Sequence, residues 1–211
     1  MPRRRAPFIS LDGLDGTGKS TQCLLLATWL RQRGYAVTEC ADPGGTAVGD
    51  VLRDLLLGHR QHMALPCEML LFMASRAQLV AEVIRPALEQ GNAVVSDRFL
   101  LANVVYQGHA GGLDPARLWE IGRVATNNLI PDLTIVLDLT PQEADARRGR
   151  PADRVEKRGP DYHAKVRNGF LAEARLDPAH IRVVSADQPV EDVHRAICEE
   201  VARVLEPGLG A

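Results

Sequence analysis

The sequence predicts an α/β fold: a three-layer sandwich with a five-stranded parallel sheet flanked by helices, plus a short mobile lid. Two observations carry this expectation. Apolar runs of strand length recur at 7–12, 35–40, 92–96, 133–138 and 181–184. Longer segments with helical periodicity separate them, as parallel crossovers require. The first run also leads into a glycine-rich loop, Gly13-Leu14-Asp15-Gly16-Thr17-Gly18-Lys19-Ser20, and then into a helix. No Pro/Gly/Ser-rich linker, internal repeat or low-complexity tract divides the 211 residues, so one domain spanning 1–211 is expected.

Each element has its own warrant. The loop after the first strand satisfies G-x-x-x-x-G-K-[ST], the P-loop arrangement. Its glycines let backbone N–H groups turn inward around phosphate oxygens, and the following helix offers its N-terminus to negative charge. In this reading Gly13 to Thr21 bind a nucleoside triphosphate, with Lys19 on the β- and γ-phosphates and Ser20 on Mg²⁺. Leu24, Leu25, Ala27 and Leu30 give the first helix its apolar stripe.

The second strand ends in Asp42-Pro43-Gly44-Gly45-Thr46. Pro fixes one backbone angle and two glycines permit close approach of the main chain to a ligand, although a tight turn before a helix would look the same. A helix from Glu68 to Leu88 places Phe72 and Arg76 four residues apart on one face, able to stack on a base and bond its edge; Phe72 could equally be core.

The third strand ends in Asp97-Arg98-Phe99. Asp97 can hold Mg²⁺ through water and Arg98 can fork onto a phosphate; the alternative is a mutual ion pair closing the sheet. Two helices, 100–108 and 114–128, are expected next, divided by Gly108, Gly111 and Gly112. After the fourth strand, 141–178 is helical apart from a polar stretch from Arg148 to Pro160 that reads as a flap. Arg147, Arg148, Arg150, Arg154 and Arg158 fall there within twelve positions, either as a solvated face or as charge for a phosphoryl group in flight.

Composition narrows the function. Lys and Arg number 25 against 27 for Asp and Glu, a net charge of −2, so no basic excess points to a nucleic acid polymer or an anionic membrane. No apolar run approaches membrane-spanning length, and Arg3-Arg4-Arg5 leads straight into the first strand, so a soluble, unprocessed chain is expected. Cys23, Cys40, Cys67 and Cys198 form no C-x-x-C pair, which fits reduced packing residues in the cytoplasm.

Taken together, these motifs resemble the thymidylate kinase family. The resemblance rests on Leu14-Asp15-Gly16-Thr17-Gly18-Lys19-Ser20-Thr21, Asp42-Pro43-Gly44-Gly45-Thr46, Phe72 with Arg76, Asp97-Arg98-Phe99, Tyr106-Gln107-Gly108 and Pro131-Asp132-Leu133-Thr134, in matching order and spacing. It implies ATP- and Mg²⁺-dependent phosphorylation of dTMP to dTDP by a cytoplasmic homodimer that joins through helices bordering the third and fourth strands. It also implies roles. Asp15 lies near the sugar and acceptor phosphate, Arg98 grips that phosphate, Phe72 stacks on thymine and Arg76 donates to its carbonyl edge. Asn103 falls on the base, Asp42, Pro43 and Gln107 count among the dTMP-binding residues, and Tyr106 crowds the 2′ position of the sugar. Because Leu14 to Thr17 include no arginine, the resemblance places catalytic arginines in a lid at about 147–160, with Arg148, Arg150 and Arg154 as candidates.

Three departures bear on substrate preference. Ala41-Asp42 stands where the family has Arg-Glu, Phe99 and Ala102 stand where it often has a tyrosine or histidine and a serine, and Val104 replaces a common glutamine. Competing readings are a kinase for another nucleoside monophosphate or a deoxynucleoside, and a nucleotide-dependent switch. The chain has no N-K-x-D guanine-reading motif.

Overall fold

The computed structural model describes residues 6–58, 63–147, 149 and 154–205. Five strands, β1 (Phe8–Gly13), β2 (Val37–Ala41), β3 (Ala93–Asp97), β4 (Leu133–Asp138) and β5 (Ile181–Ser185), form one sheet in the order β2-β3-β1-β4-β5. All pairings are parallel. Chain order reverses on either side of β1, and in such sheets ligands bind beyond the strand ends at that switch point. The register there sets Leu11 opposite Asp97 and Gly13 opposite Leu137, so the glycine-rich loop leaves the sheet beside the carboxylate ending β3.

The helices are α1 (Lys19–Gln32), α2 (Ala47–Leu57), α3 (Leu65–Leu79), α4 (Arg85–Glu89), α5 (Leu100–Asn103), α6 (Pro115–Ala125), α7 (Pro141–Arg147), α8 (Pro160–Leu176) and α9 (Val190–Leu205). Alternation along β1 divides the core. Phe8 joins Met73, Leu79, Ile84, Val94 and Phe99 in one buried cluster. Ile9 and Leu11 join Leu26, Leu30, Val95 and Ile197 in another.

Local chemistry accounts for several boundaries. Thr46 caps α2 by accepting from the Gly49 N–H at 2.9 Å, and Asp114 caps α6 by accepting from the Ala116 N–H at 3.0 Å, with Pro115 as the first helical residue. Thr140 and Glu143 form a reciprocal capping box ahead of α7. The helix expected over 114–128 ends at Ala125, because Asn127 and Asn128 adopt φ of 49° and 58°, a conformation asparagine tolerates.

Two expected helices are interrupted by π-helical turns. The Glu68–Leu88 helix runs from α3 through a π segment, Val80–Ile84, into α4. The helix expected over 100–108 is α-helical only through Asn103 and continues as a π segment, Val104–Ala110. Tertiary contact favours the wider turn: α8 presses on it so closely that a Cβ at Gly169 would stand 2.8 Å from the His109 Cβ. Periodicity carries no sign of such a widening, which is frequent at functional sites.

Among the described residues, no helix is long and apolar enough to cross a membrane. All four cysteines are free thiols. Burial pushes the Cys40 and Cys198 thiols up to about 11, consistent with packing and against thiolate chemistry.

Candidate active site

The loop between β1 and α1 is shaped by close approach. Gly16 has φ 89°, and a Cβ there would lie 2.0 Å from the Ala144 carbonyl oxygen on α7, so no side chain fits. Thr17 Oγ1 donates to the Leu14 carbonyl at 2.8 Å, tightening the turn. No side chain caps α1, which leaves its first N–H groups for a ligand. Lys19 is buried and folds back over the loop: Nζ donates to the carbonyls of Leu14 at 2.7 Å and Gly13 at 3.3 Å and stands 3.9 Å from Asp15 Oδ1. Burial first, and the Arg98 charge second, lower its pKa from the ordinary lysine value.

Across the end of β1 a cavity of about 570 Å³ opens. Gly16, Gly18, Lys19, Ser20 and Thr21 wall one side, and Asp42, Pro43, Phe72, Arg76, Asn103, Tyr106 and Gln107 the other, with Asp15, Asp97 and Arg98 between them. The structure therefore brings the triphosphate loop and the expected acceptor residues to one space. Gly13, Leu14 and Thr17 belong to the loop but not to the wall.

Arg98 occupies the junction. Its backbone is left-handed, φ 70°, a rare conformation for a non-glycine residue. The side chain thus turns back toward β1, where Nη1 donates to the Gly13 carbonyl at 3.0 Å and Nη2 to Asp15 Oδ1 at 2.9 Å and Tyr106 Oη at 3.2 Å. The sequence left open a mutual Asp97–Arg98 pair; Arg98 instead takes Asp15, while Asp97 Oδ2 accepts from Ser20 Oγ at 2.5 Å.

Arg76 is fully buried and uses nearly its whole fork. Nε pairs with Asp42 Oδ2 at 2.5 Å, Nη1 donates to Asn103 Oδ1 at 3.1 Å and Nη2 to the Phe99 carbonyl at 3.3 Å. Asn103 Nδ2 then donates to Gln107 Oε1 at 2.7 Å. Phe72, half-buried four residues before Arg76, also lines the cavity.

Sequence reasoning missed Arg53 and Leu57 as wall residues, whereas Arg147, Gly149 and Val155, which also line the cavity, fall within the expected lid. Arg53 reaches the Pro43 carbonyl through Nη1 at 2.5 Å, which puts a guanidinium beside the loop where Ala41 brings none. Its only sequence signal is its place on the amphipathic helix after Thr46. Of the lid candidates, Arg148 and Arg150 lie outside the described residues. Arg154 is described, but its guanidinium is held on Glu68 at 2.6 Å and on the Leu56 carbonyl at 3.0 Å, and the neighbouring Val155 reaches the wall.

Asp12, on the opposite face of the sheet from the Leu11–Asp97 pair, is fully buried, and neither carboxylate oxygen has a hydrogen-bond partner. Burial pushes its carboxyl up to about 7, against the pull of Arg98 and Lys19. The donor set for a divalent cation lies elsewhere. Ser20 Oγ and Asp97 Oδ2 are hard oxygens already 2.5 Å apart beside the loop, a set that fits Mg²⁺.

A P-loop at the switch point of a parallel sheet, sharing one cavity with a second set of basic and aromatic side chains, defines a phosphotransferase of the nucleotide kinase class. Comparison with known proteins narrows the class. The model of the thymidylate kinase family matches residues 11–197. A thymidylate kinase of Thermoanaerobacter sp. (strain X514) is 41% identical over 202 residues, covering 95% of this chain and 100% of its own length. One of Symbiobacterium thermophilum is 45% identical over 200 residues, 94% of each chain. A crystal structure of thymidylate kinase from Ehrlichia chaffeensis superposes with a TM-score of 0.77 at 28% identity, over 93% of this chain and 98% of that one. The chain belongs to the thymidylate kinase family: it is a kinase, and it phosphorylates dTMP to dTDP.

Proposed function

We propose that this single-domain enzyme transfers the γ-phosphoryl of ATP in line to the dTMP phosphate, with Arg98 at the meeting point of donor and acceptor. The observation that carries this reading is the Arg98 fork, which touches the P-loop through Gly13 and Asp15 and the acceptor wall through Tyr106. The acceptor is already an anion, so no strong general base is needed, and positioning with charge neutralisation supplies most of the rate.

In this assignment Gly16, Thr17, Gly18 and the α1 N-terminus cradle the donor phosphates, and Lys19 exchanges its carbonyl partners for phosphate oxygens. Ser20 and Asp97 would hold Mg²⁺, which would supply positive charge to offset that of the donor phosphates. Phe72 stacks on thymine and Arg76 with Asn103 and Gln107 reads its edge. Tyr106 crowds the sugar, and Asp42, Pro43 and Arg53 border the acceptor. The lid, with Arg147 at the wall and Arg148, Arg150 and Arg154 along it, brings positive charge and excludes water.

We further propose a cytoplasmic homodimer. The adjoining helices α2, α3 and α6 leave Val51 69%, Leu70 54% and Val124 83% exposed, apolar area suited to a second copy.

An acceptor panel in a coupled ADP-release assay tests the pocket assignment. The thymine methyl offers only about 1–3 kcal/mol, whereas polar groups left unpaired on a wrong base edge reject it by roughly 10⁴. The expected result is measurable but poor turnover of dUMP and near inertness of dCMP and dGMP. Equal turnover of dCMP and dTMP would overturn the assignment of Arg76 and Asn103.

A further inference from the structure

Glu68, in the first turn of α3, belongs to none of the roles above, yet it is completely buried and carries two cationic partners, as many as Asp15 does at the junction of the site. Arg158 Nη2 donates to its Oε2 at 2.5 Å, and Arg154 Nη2 lies 2.6 Å from the same oxygen. Both arginines come from the lid. On the other side, Gln107 Nε2 donates to Glu68 Oε1 at 2.7 Å. Gln107 is itself the end of the buried chain that runs from Asp42 through Arg76 and Asn103.

One carboxylate thus joins two parts of the site that no backbone element joins: the base-reading residues and the lid. Two guanidinium groups converge on a single buried oxygen, Arg158 through a hydrogen bond and Arg154 as an ion pair, an attachment that depends on the negative charge of the carboxylate and on its aim. Gln107 supplies the aim. Further contacts fix the same segment, since Arg158 Nη1 donates to Tyr162 Oη at 3.0 Å and Tyr162 Oη donates to the Tyr106 carbonyl at 2.7 Å.

We propose that Glu68 is a positioning residue that fastens the lid over the cavity and ties that closure to the base pocket through Gln107. The inference rests on the kinase reading and deepens it. With the attachment in place, Val155 closes the wall and water is kept from the donor phosphate; with it weakened, the lid docks less often and water competes with dTMP for the phosphoryl group.

The test compares wild type with Glu68→Gln in the full chain, measuring kcat, KM for dTMP and the ratio of ADP released to dTDP formed. Glutamine keeps the size of the side chain and the acceptor for Gln107 but removes the charge that holds both arginines. The expected result is a kcat about tenfold lower, KM for dTMP within about twofold of wild type, and an ADP:dTDP ratio above one. Arg158→Gln should move kcat and the ratio in the same direction by less, and the double variant should be no worse than Glu68→Gln alone. Wild-type kcat with a ratio of one, or additive losses in the double variant, overturns the proposal. Should Glu68→Gln fail to fold, Arg158→Gln carries the test, because its side chain is partly exposed on the lid and a ratio of one with wild-type kcat would be equally decisive. Failure of this inference is distinct from failure of the kinase reading, which would appear as a wild type that does not turn over dTMP.

Discussion

The two halves of the active site are built by different means. On the donor side the working parts are main-chain groups in one contiguous stretch, Gly13 to Thr21, and their shape follows from where a Cβ cannot fit. On the acceptor side the parts are side chains drawn from α2, α3, β3, α5 and the π segment, held by a hydrogen-bonded chain from Asp42 to Glu68. In the proposed assignment the first arrangement is a cradle for phosphates of any nucleotide, and the second is a reader whose selectivity depends on buried polar partners that must all be satisfied at once.

The largest effect should come from the donor side. In the proposed assignment Lys19→Ala removes the ammonium that follows the transferred group, and loss of one such preorganised charge lowers kcat by on the order of 10²–10³. A coupled assay at saturating ATP and dTMP reads it directly. Turnover within a few-fold of wild type would show that the charge resides elsewhere, in Arg98 or the lid, and would erase the distinction between the halves.

The same contrast governs what the sequence disclosed. Strand positions, their parallel order and the P-loop follow from local rules: apolar runs, glycine spacing and a lysine at the helix start. The cap at Asp114-Pro115 and the Thr46 cap are equally local. The acceptor partners are long-range. Nothing in the segment around Glu68 signals that it meets Gln107 and two lid arginines, and nothing near residue 53 signals that its guanidinium reaches Pro43. Asn103 and Tyr106 are reached only through family resemblance, whereas helix spacing sets Phe72 and Arg76 on one face as a base-binding pair and leaves Phe72 equally readable as core. Periodicity predicts α-helix where the π segment carries Tyr106 and Gln107, because a turn widened under packing against α8 leaves no local pattern.

Asp12 lies under the boundary between the halves, and its titration gives an effect of intermediate size on stability. Its carboxyl is raised to about 7 in the folded chain, from an ordinary value of 3.8. The folded state therefore holds the proton more tightly than the unfolded state, so this stabilisation is full below about pH 4 and is lost as pH rises through about 7. Asp12→Asn mimics the protonated form at every pH. Urea unfolding at pH 5 and pH 8 should show the variant gaining on wild type by on the order of 2–4 kcal/mol as the pH is raised. A difference between the two proteins that does not change with pH would mean that Asp12 is ionised and solvated throughout.

The smallest effect expected is also the most specific to the acceptor side. Arg76→Lys keeps a positive charge for the buried Asp42 carboxylate, so the chain is not left with an unpaired buried charge. It loses the planar fork that reaches Asn103 and the Phe99 carbonyl together, and a lysine cannot reproduce that geometry. If the pocket reads the base through this fork, KM for dTMP should rise about tenfold while KM for ATP stays within twofold, the loss of one charge-assisted hydrogen bond. Discrimination between dTMP and dCMP should narrow in the same variant, because the partner that rejects the wrong edge has become a flexible point charge. Parallel rises in both KM values would instead show that Arg76 supports the whole cavity, and that the donor cradle depends on the acceptor network rather than standing beside it.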